Sequence, residues 1–166
     1  MTYRFEAMSE RHRSAVVGLF NHYAREGFAA YPEDPVPPSF FDRLLSVAKD
    51  HVALVALDGA GDVAGLRLLR PYHWAPTLRR TAEATYFLHP GQTRKGLGGE
   101  LLGRLTEGAR RLGVDNLVAD VSSLNEASLA FHRKHGFVER GRLAAVGRKH
   151  GRDFDVVLFQ KRISRD

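Results

Sequence analysis

The sequence predicts an α/β (α+β) domain built on a mixed, mostly antiparallel sheet of about six or seven strands flanked by about four helices. Three observations predict it. Four stretches carry apolar residues at helical period, and short apolar or alternating runs bounded by Gly, Pro and Asp fall between them. The resulting order is strand, two helices, three strands, helix, strand, helix, two strands. Connections of both hairpin and helical-crossover length join the strands, so antiparallel and parallel pairs should coexist. Finally, 166 residues with 43% hydrophobic and 27% charged content suit one ordinary globular domain spanning residues 1–166.

Each element follows from local chemistry. Thr2–Met8 alternates through Tyr3, Phe5 and Ala7 and reads as the first strand. Ser9 is an N-cap residue, and Val16, Val17, Leu19, Phe20 and Tyr23 recur at helical spacing, so a helix should run to about Arg25 and stop near Gly27. Residues 27–38 contain Pro32, Pro35, Pro37 and Pro38 and must form a loop, which with Phe28 and Tyr31 suits a binding loop or a core cover. Ser39–Ala48 reads as a second helix. The apolar run His51–Leu57 ends at Asp58-Gly59 and Val63–Leu69 follows, making a hairpin, with Thr81–Leu88 as a further strand broken off by Pro90. Leu97, Leu101, Leu102, Leu105, Ala109 and Leu112 share one face of a helix that Gly113 ends. Val114–Val121 is a strand, Asn125–His135 a helix ended by Gly136, and Phe137–Val146 and Phe154–Gln160 are the last two strands.

Composition narrows the function. The chain has no cysteine, which removes disulfides, thiol nucleophiles and thiolate metal sites and suits a reducing compartment. No run approaches the roughly 18 apolar residues of a membrane span, and Met1–Arg13 is too polar for a signal peptide, so a cytoplasmic protein is expected. The eight histidines lack metal-ligand spacing, so no metal is expected. The net charge of +6 is uneven: residues 1–132 hold 15 basic and 15 acidic side chains, and residues 133–166 hold 10 against 4. Such a run is a solvated face, an anion-binding surface or a nucleic-acid patch.

The segment Pro90-Gly91-Gln92-Thr93-Arg94-Lys95-Gly96-Leu97-Gly98-Gly99 lies between a strand and a helix. Glycines there allow close backbone approach, and the free amides of the helix start suit phosphate oxygens. A Walker loop would need Gly-Lys-Ser or Gly-Lys-Thr at its end. A dinucleotide fingerprint belongs on the first strand-helix unit of a doubly wound sheet, whereas here a run of strands precedes it. Both fit poorly.

The chain resembles the GNAT acyl-CoA N-acyltransferases in Thr93-Arg94-Lys95-Gly96-Leu97-Gly98 and, more specifically, in Asn125-Glu126-Ala127-Ser128-Leu129-Ala130-Phe131-His132-Arg133-Lys134-His135-Gly136-Phe137. Within that family it is similar to the phosphinothricin acetyltransferase branch through Asn21-His22-Tyr23, Thr81-Ala82-Glu83-Ala84-Thr85-Tyr86 and Gly147-Arg148-Lys149-His150-Gly151 with Asp155 and Gln160. The resemblance implies the GNAT fold and direct acetyl transfer from acetyl-CoA to the primary amine of a small amino-acid-like acceptor of the phosphinothricin or methionine sulfoximine type. It also implies a homodimer, with no nucleic-acid or membrane partner. Other acceptors stay open, namely a polyamine, an antibiotic or a protein amine, as does a non-catalytic CoA- or nucleic-acid-binding domain.

The same resemblance places pyrophosphate on the amides of Thr93, Arg94, Lys95, Gly96, Leu97, Gly98 and Gly99, and the thioester between strands Thr81–Leu88 and Asn116–Val121. Backbone amides near Phe87 and Leu88 would polarise its carbonyl, and Asn125 and Ser128 would contact pantetheine or the adenylate side. Glu83 falls at the branch's general-base position and would take the amine's proton directly or through one water. His132 stands where many members carry tyrosine, and an imidazole of ordinary pKa about 6.5 could protonate the leaving thiolate. On the acceptor side Arg67, Arg70, Arg79, Arg80 and Lys149 are candidates to hold an anion. Phe28, Tyr31, His73 and Trp74 are candidate pocket walls.

Overall fold

The structure is a computed structural model that describes residues 2–48 and 52–163. His51, expected to open the second strand, lies outside the described residues. Seven strands, β1 (Arg4–Ala7), β2 (Ala53–Leu57), β3 (Val63–Pro71), β4 (Thr81–Leu88), β5 (Asn116–Ser122), β6 (Val138–Lys149) and β7 (Arg152–Arg162), form one sheet in the order β1-β2-β3-β4-β5-β7-β6. Four helices, α1 (Arg13–Arg25), α2 (Phe40–Val47), α3 (Leu97–Arg111) and α4 (Glu126–Lys134), flank it.

Among the described residues only β4 and β5 pair in parallel, because α3 carries the chain across the sheet between them; the other pairs are antiparallel. Their register is short: Thr81↔Asn116, Ala82↔Leu117 and Glu83↔Val118. Past that point β4 stays on β3 as far as Leu88↔Gly65, and β5 stays on β7 as far as Ser122↔Val156. The two strands therefore part into a V.

The core divides across the sheet. On one side Val16, Val17 and Leu19 of α1 and Phe41 of α2 pack on Val55, Leu57 and Leu66. On the other, Leu102, Leu105 and Ala109 of α3 and Leu129 of α4 pack on Leu69, Ala84, Leu117, Val157 and Phe159. Most of the predicted stripe on α3 is buried; Leu112, beyond the helix end, is exposed.

Local departures have identifiable causes. Ser9 caps a 3-10 turn, Glu10–His12, before α1 begins, because the Ser9 amide donates to His12 Nδ1 at 3.0 Å and tightens the first turn. β6 runs on to Lys149 through two register shifts, with Ala145 at φ 48° and its amide on Asp155 Oδ1 at 2.8 Å. As an edge strand exposed along most of its length, it carries no clean alternation to read. Much of the C-terminal charge is paired locally: Arg133 with Glu139, Arg142 with Asp155 and Arg148 with Asp153. No helix among the described residues is long and apolar enough to cross a membrane.

Candidate active site

The parting of β4 and β5 opens a cavity of about 410 Å³ that reaches both faces of the sheet. Side chains alternate along a strand, so β4 supplies Glu83, Thr85 and Phe87 to the α1/α2 side and Tyr86 to the α3/α4 side. On the first side the wall continues with Tyr31 of the proline-rich loop, Arg43 of α2, Arg70 of β3 and Asp120 of β5. On the second it continues with Asn125, Ser128 and His132.

Glu83 sits opposite Arg70 in the β3–β4 ladder, and its Oε1 accepts from Arg70 Nη2 at 2.5 Å. Asp120 also faces the cavity, and no hydrogen bond or ion pair among the described residues engages its carboxylate. Burial first, then repulsion from Glu83, push its pKa up, with Arg70 opposing. Tyr31 stacks on Phe154 at 5.8 Å, and its hydroxyl is pushed up to about 12 by burial and then by the charges of Asp120 and Glu83.

His132 is only 2% exposed. Its Nδ1–H donates to the Ser128 carbonyl at 2.7 Å, and Nε2 accepts from the Tyr86 hydroxyl, a tautomer assigned from this network. Burial pushes the imidazole down to about 4 against the partly offsetting Ser128 hydrogen bond, so the ring is neutral at pH 7. This corrects the expectation of an imidazole with ordinary pKa. The Tyr86 proton is therefore directed at His132 Nε2, and burial pushes the hydroxyl's pKa up.

Asn125 caps α4 by accepting from the Ser128 amide at 3.2 Å. At the end of β4 the His89 amide donates to Ala64 O at 2.8 Å. Alternation then turns the Phe87 amide toward β3 and the amides of Tyr86 and Leu88 toward the V. Of the predicted pair, Leu88 turns its amide to the V, and Phe87 turns its amide to β3 while its side chain lines the cavity.

The glycine loop lies outside the cavity wall. Thr93 Oγ1 donates to Pro90 O at 3.0 Å, and Arg94 and Gly96 adopt left-handed φ of 60° and 85° before α3 begins at Leu97. The first-turn amides of α3 lack intrahelical acceptors. A Cβ on Gly98 would lie 3.0 Å from the Phe131 ring, and one on Gly99 3.2 Å from the His135 ring. These glycines let α3 start against α4, a packing role besides the predicted one.

Three predicted acceptor residues lie elsewhere. Arg80 is outside the cavity, its Nε and Nη2 on Asp115 at 2.8 and 2.5 Å. Lys149 is 1% exposed, and its Nζ donates to the carbonyls of Tyr23 and Ala30 at 3.1 and 2.7 Å. Phe28 packs on Phe154 and His150 beneath Arg152. Lys149 and Phe28 thus fix the loop that carries Tyr31. Arg67 is buried on the α3 face, and its Nε and Nη1 have no hydrogen-bond partner among the described residues.

Residues 16–137 match the model of the acetyltransferase (GNAT) family. The chain belongs to the GNAT family. It is 32% identical over 149 residues to the L-methionine sulfoximine/L-methionine sulfone acetyltransferase of Pseudomonas aeruginosa, covering 87% of this chain and 86% of that protein. It is 30% identical to the phosphinothricin N-acetyltransferase of Streptomyces coelicolor, covering 86% of each. Among solved structures, a GNAT phosphinothricin acetyltransferase from Sinorhizobium meliloti in complex with acetyl-CoA superposes with a TM-score of 0.92 at 26% identity, covering 99% of this chain and 90% of that one.

Within the GNAT frame, sequence reasoning missed Tyr86 and Asp120. Asp120 left a signal, a charged side chain in the middle of the apolar run 117–121. Tyr86 stands in the motif Thr81–Tyr86 with no role attached to it, and only the fold brings it to a helix residue 46 positions away.

Proposed function

We propose that this GNAT enzyme transfers acetyl from acetyl-CoA to the primary amine of a small amino-acid-like acceptor of the methionine sulfoximine or phosphinothricin type, by direct attack in a ternary complex. The observation that carries the reading is a cavity through the sheet with carboxylates and arginines on one side and the Tyr86–His132 pair on the other. Similarity to acetyltransferases of both acceptor types supports the substrate class.

The amides of residues 93–99 and the Asn125–His132 helix would hold the nucleotide and pantetheine, as in a structural relative described with acetyl-CoA. The Leu88 amide, turned to the V, suits the thioester carbonyl, where negative charge develops. Glu83 receives the acceptor ammonium and helps remove its proton directly or through one water, while Arg70 fixes the carboxylate's direction. The amine nitrogen then attacks the carbonyl carbon, the carbon–sulfur bond breaks, and the sulfur leaves as a thiolate. The Tyr86 hydroxyl would turn its one proton from His132 Nε2 to the sulfur, exchanging that hydrogen bond for one to the thiolate, and His132 positions the hydroxyl beforehand.

The protein is proposed to be cytoplasmic and homodimeric. Exposed Tyr72, Trp74 and Leu78 after β3 form a candidate contact, and light scattering measures the mass. The functional test is thiol release from acetyl-CoA over amino acids, their sulfoximine and phosphinic analogues, and polyamines. Turnover with an amino-acid analogue supports the proposal; no turnover together with no thermal shift by acetyl-CoA overturns it. Glu83→Gln should lower turnover about 100-fold and leave acetyl-CoA binding intact. Equal loss of both would remove Glu83 from the chemistry.

A further inference from the structure

The acceptor side of the cavity holds more charge than one base requires. Glu83 and Asp120 extend from the neighbouring strands β4 and β5 on one face, where those strands part. The groups facing Asp120 are Glu83 of β4, Arg70 of β3 and Tyr31 of the loop, with Arg43 of α2 across the cavity. The two carboxylates differ in engagement. Glu83 already binds Arg70; protonating it weakens that ion pair, whereas protonating Asp120 breaks no contact described in the structure.

We infer that Asp120 is a second catalytic carboxylate and the resting place of the proton released by the acceptor ammonium, with Glu83 and Arg70 orienting the amine. This inference rests on the acetyl-transfer reading above. The balance is simple: the ammonium N–H bond breaks, its proton passes directly or through one water to an Asp120 oxygen, and the freed electron pair forms the N–C bond as the C–S bond breaks. The raised pKa of Asp120 agrees with this division. When two carboxylates share a site, environments that push their proton affinities apart assign the acid and base roles.

The test is the pH profile of kcat/KM for the best acceptor, measured by thiol release with wild type, Asp120→Asn and Asp120→Glu. In wild type the acid limb should lie above the ordinary carboxylate range. Asp120→Asn should lower kcat at least about tenfold and move that limb to lower pH, with the thermal shift by acetyl-CoA retained as proof of fold. Asp120→Glu should restore part of the rate and the limb. An Asn variant with only a raised KM, or within twofold of wild type with the same profile, overturns the inference and leaves acetyl transfer standing. Absence of wild-type turnover with every amine removes both readings.

Discussion

His132 allows a quantitative test of the site's electrostatics. In the fold its imidazole is pushed down to about 4, and in the unfolded chain it titrates near 6.5. The folded value lies below the unfolded one, so the unfolded chain binds the proton first and acid favours unfolding. The stability tied to this ring is complete above about pH 7 and drains away between roughly pH 6.5 and 4, to a total of about 3 kcal/mol at 1.36 kcal/mol per pKa unit. Between pH 7 and pH 5 the loss amounts to about 2 kcal/mol. For a domain of this length it corresponds to a fall in Tm of about 4–8 °C. His132→Gln carries no titrating ring and should lack this component, although its stability at pH 7 is lower because the Tyr86 and Ser128 groups lose a partner. Urea unfolding of both proteins at several pH values measures the difference. Parallel decline of wild type and variant from pH 7 to 5 would refute the neutral, buried imidazole, and with it the assignment of Tyr86 as the donor in the Tyr86–His132 hydrogen bond.

Two further outcomes follow from the same contacts. Lys149→Met keeps the stem but strips the Tyr23 and Ala30 carbonyls of their donor. It should destabilise the fold by about 3 kcal/mol in chemical denaturation and raise acceptor KM more than it changes kcat, because the loop carrying Tyr31 loosens. Tyr86→Phe leaves the buried His132 Nε2 without a donor. It should cost about 1–2 kcal/mol of stability and lower kcat with little change in acceptor KM, as steady-state kinetics would read.

Much of the architecture was legible because it rests on local signals. The stripe along α3, the breaks at Pro90 and Gly113, and the helix that Gly136 ends each follow from neighbouring residues. What escaped depends on contacts distant in sequence. Arg80 looked like an anion clamp, but the chain brings Asp115 to it from 35 positions away. Lys149 looked like a pocket cation, yet it reaches carbonyls more than 100 positions earlier. The Arg70–Glu83 pair follows from the β3–β4 register, which two isolated strand segments do not reveal. Glu83 and His132 were found through resemblance to known motifs; neither was evident from its surroundings in the chain.

The three-pair ladder between β4 and β5 has a mechanical consequence. Each strand keeps its outer partner along its whole length, so the sheet behaves as two stiff leaves joined along one short seam. One leaf carries Glu83, Arg70 and the contacts to α1 and α2; the other carries Asp120 and leads through Ser122 into α4. The length of the seam thus sets the spacing of the two carboxylates and the width of the passage together. The helices α3 and α4, packed on both leaves, hold that spacing from one face.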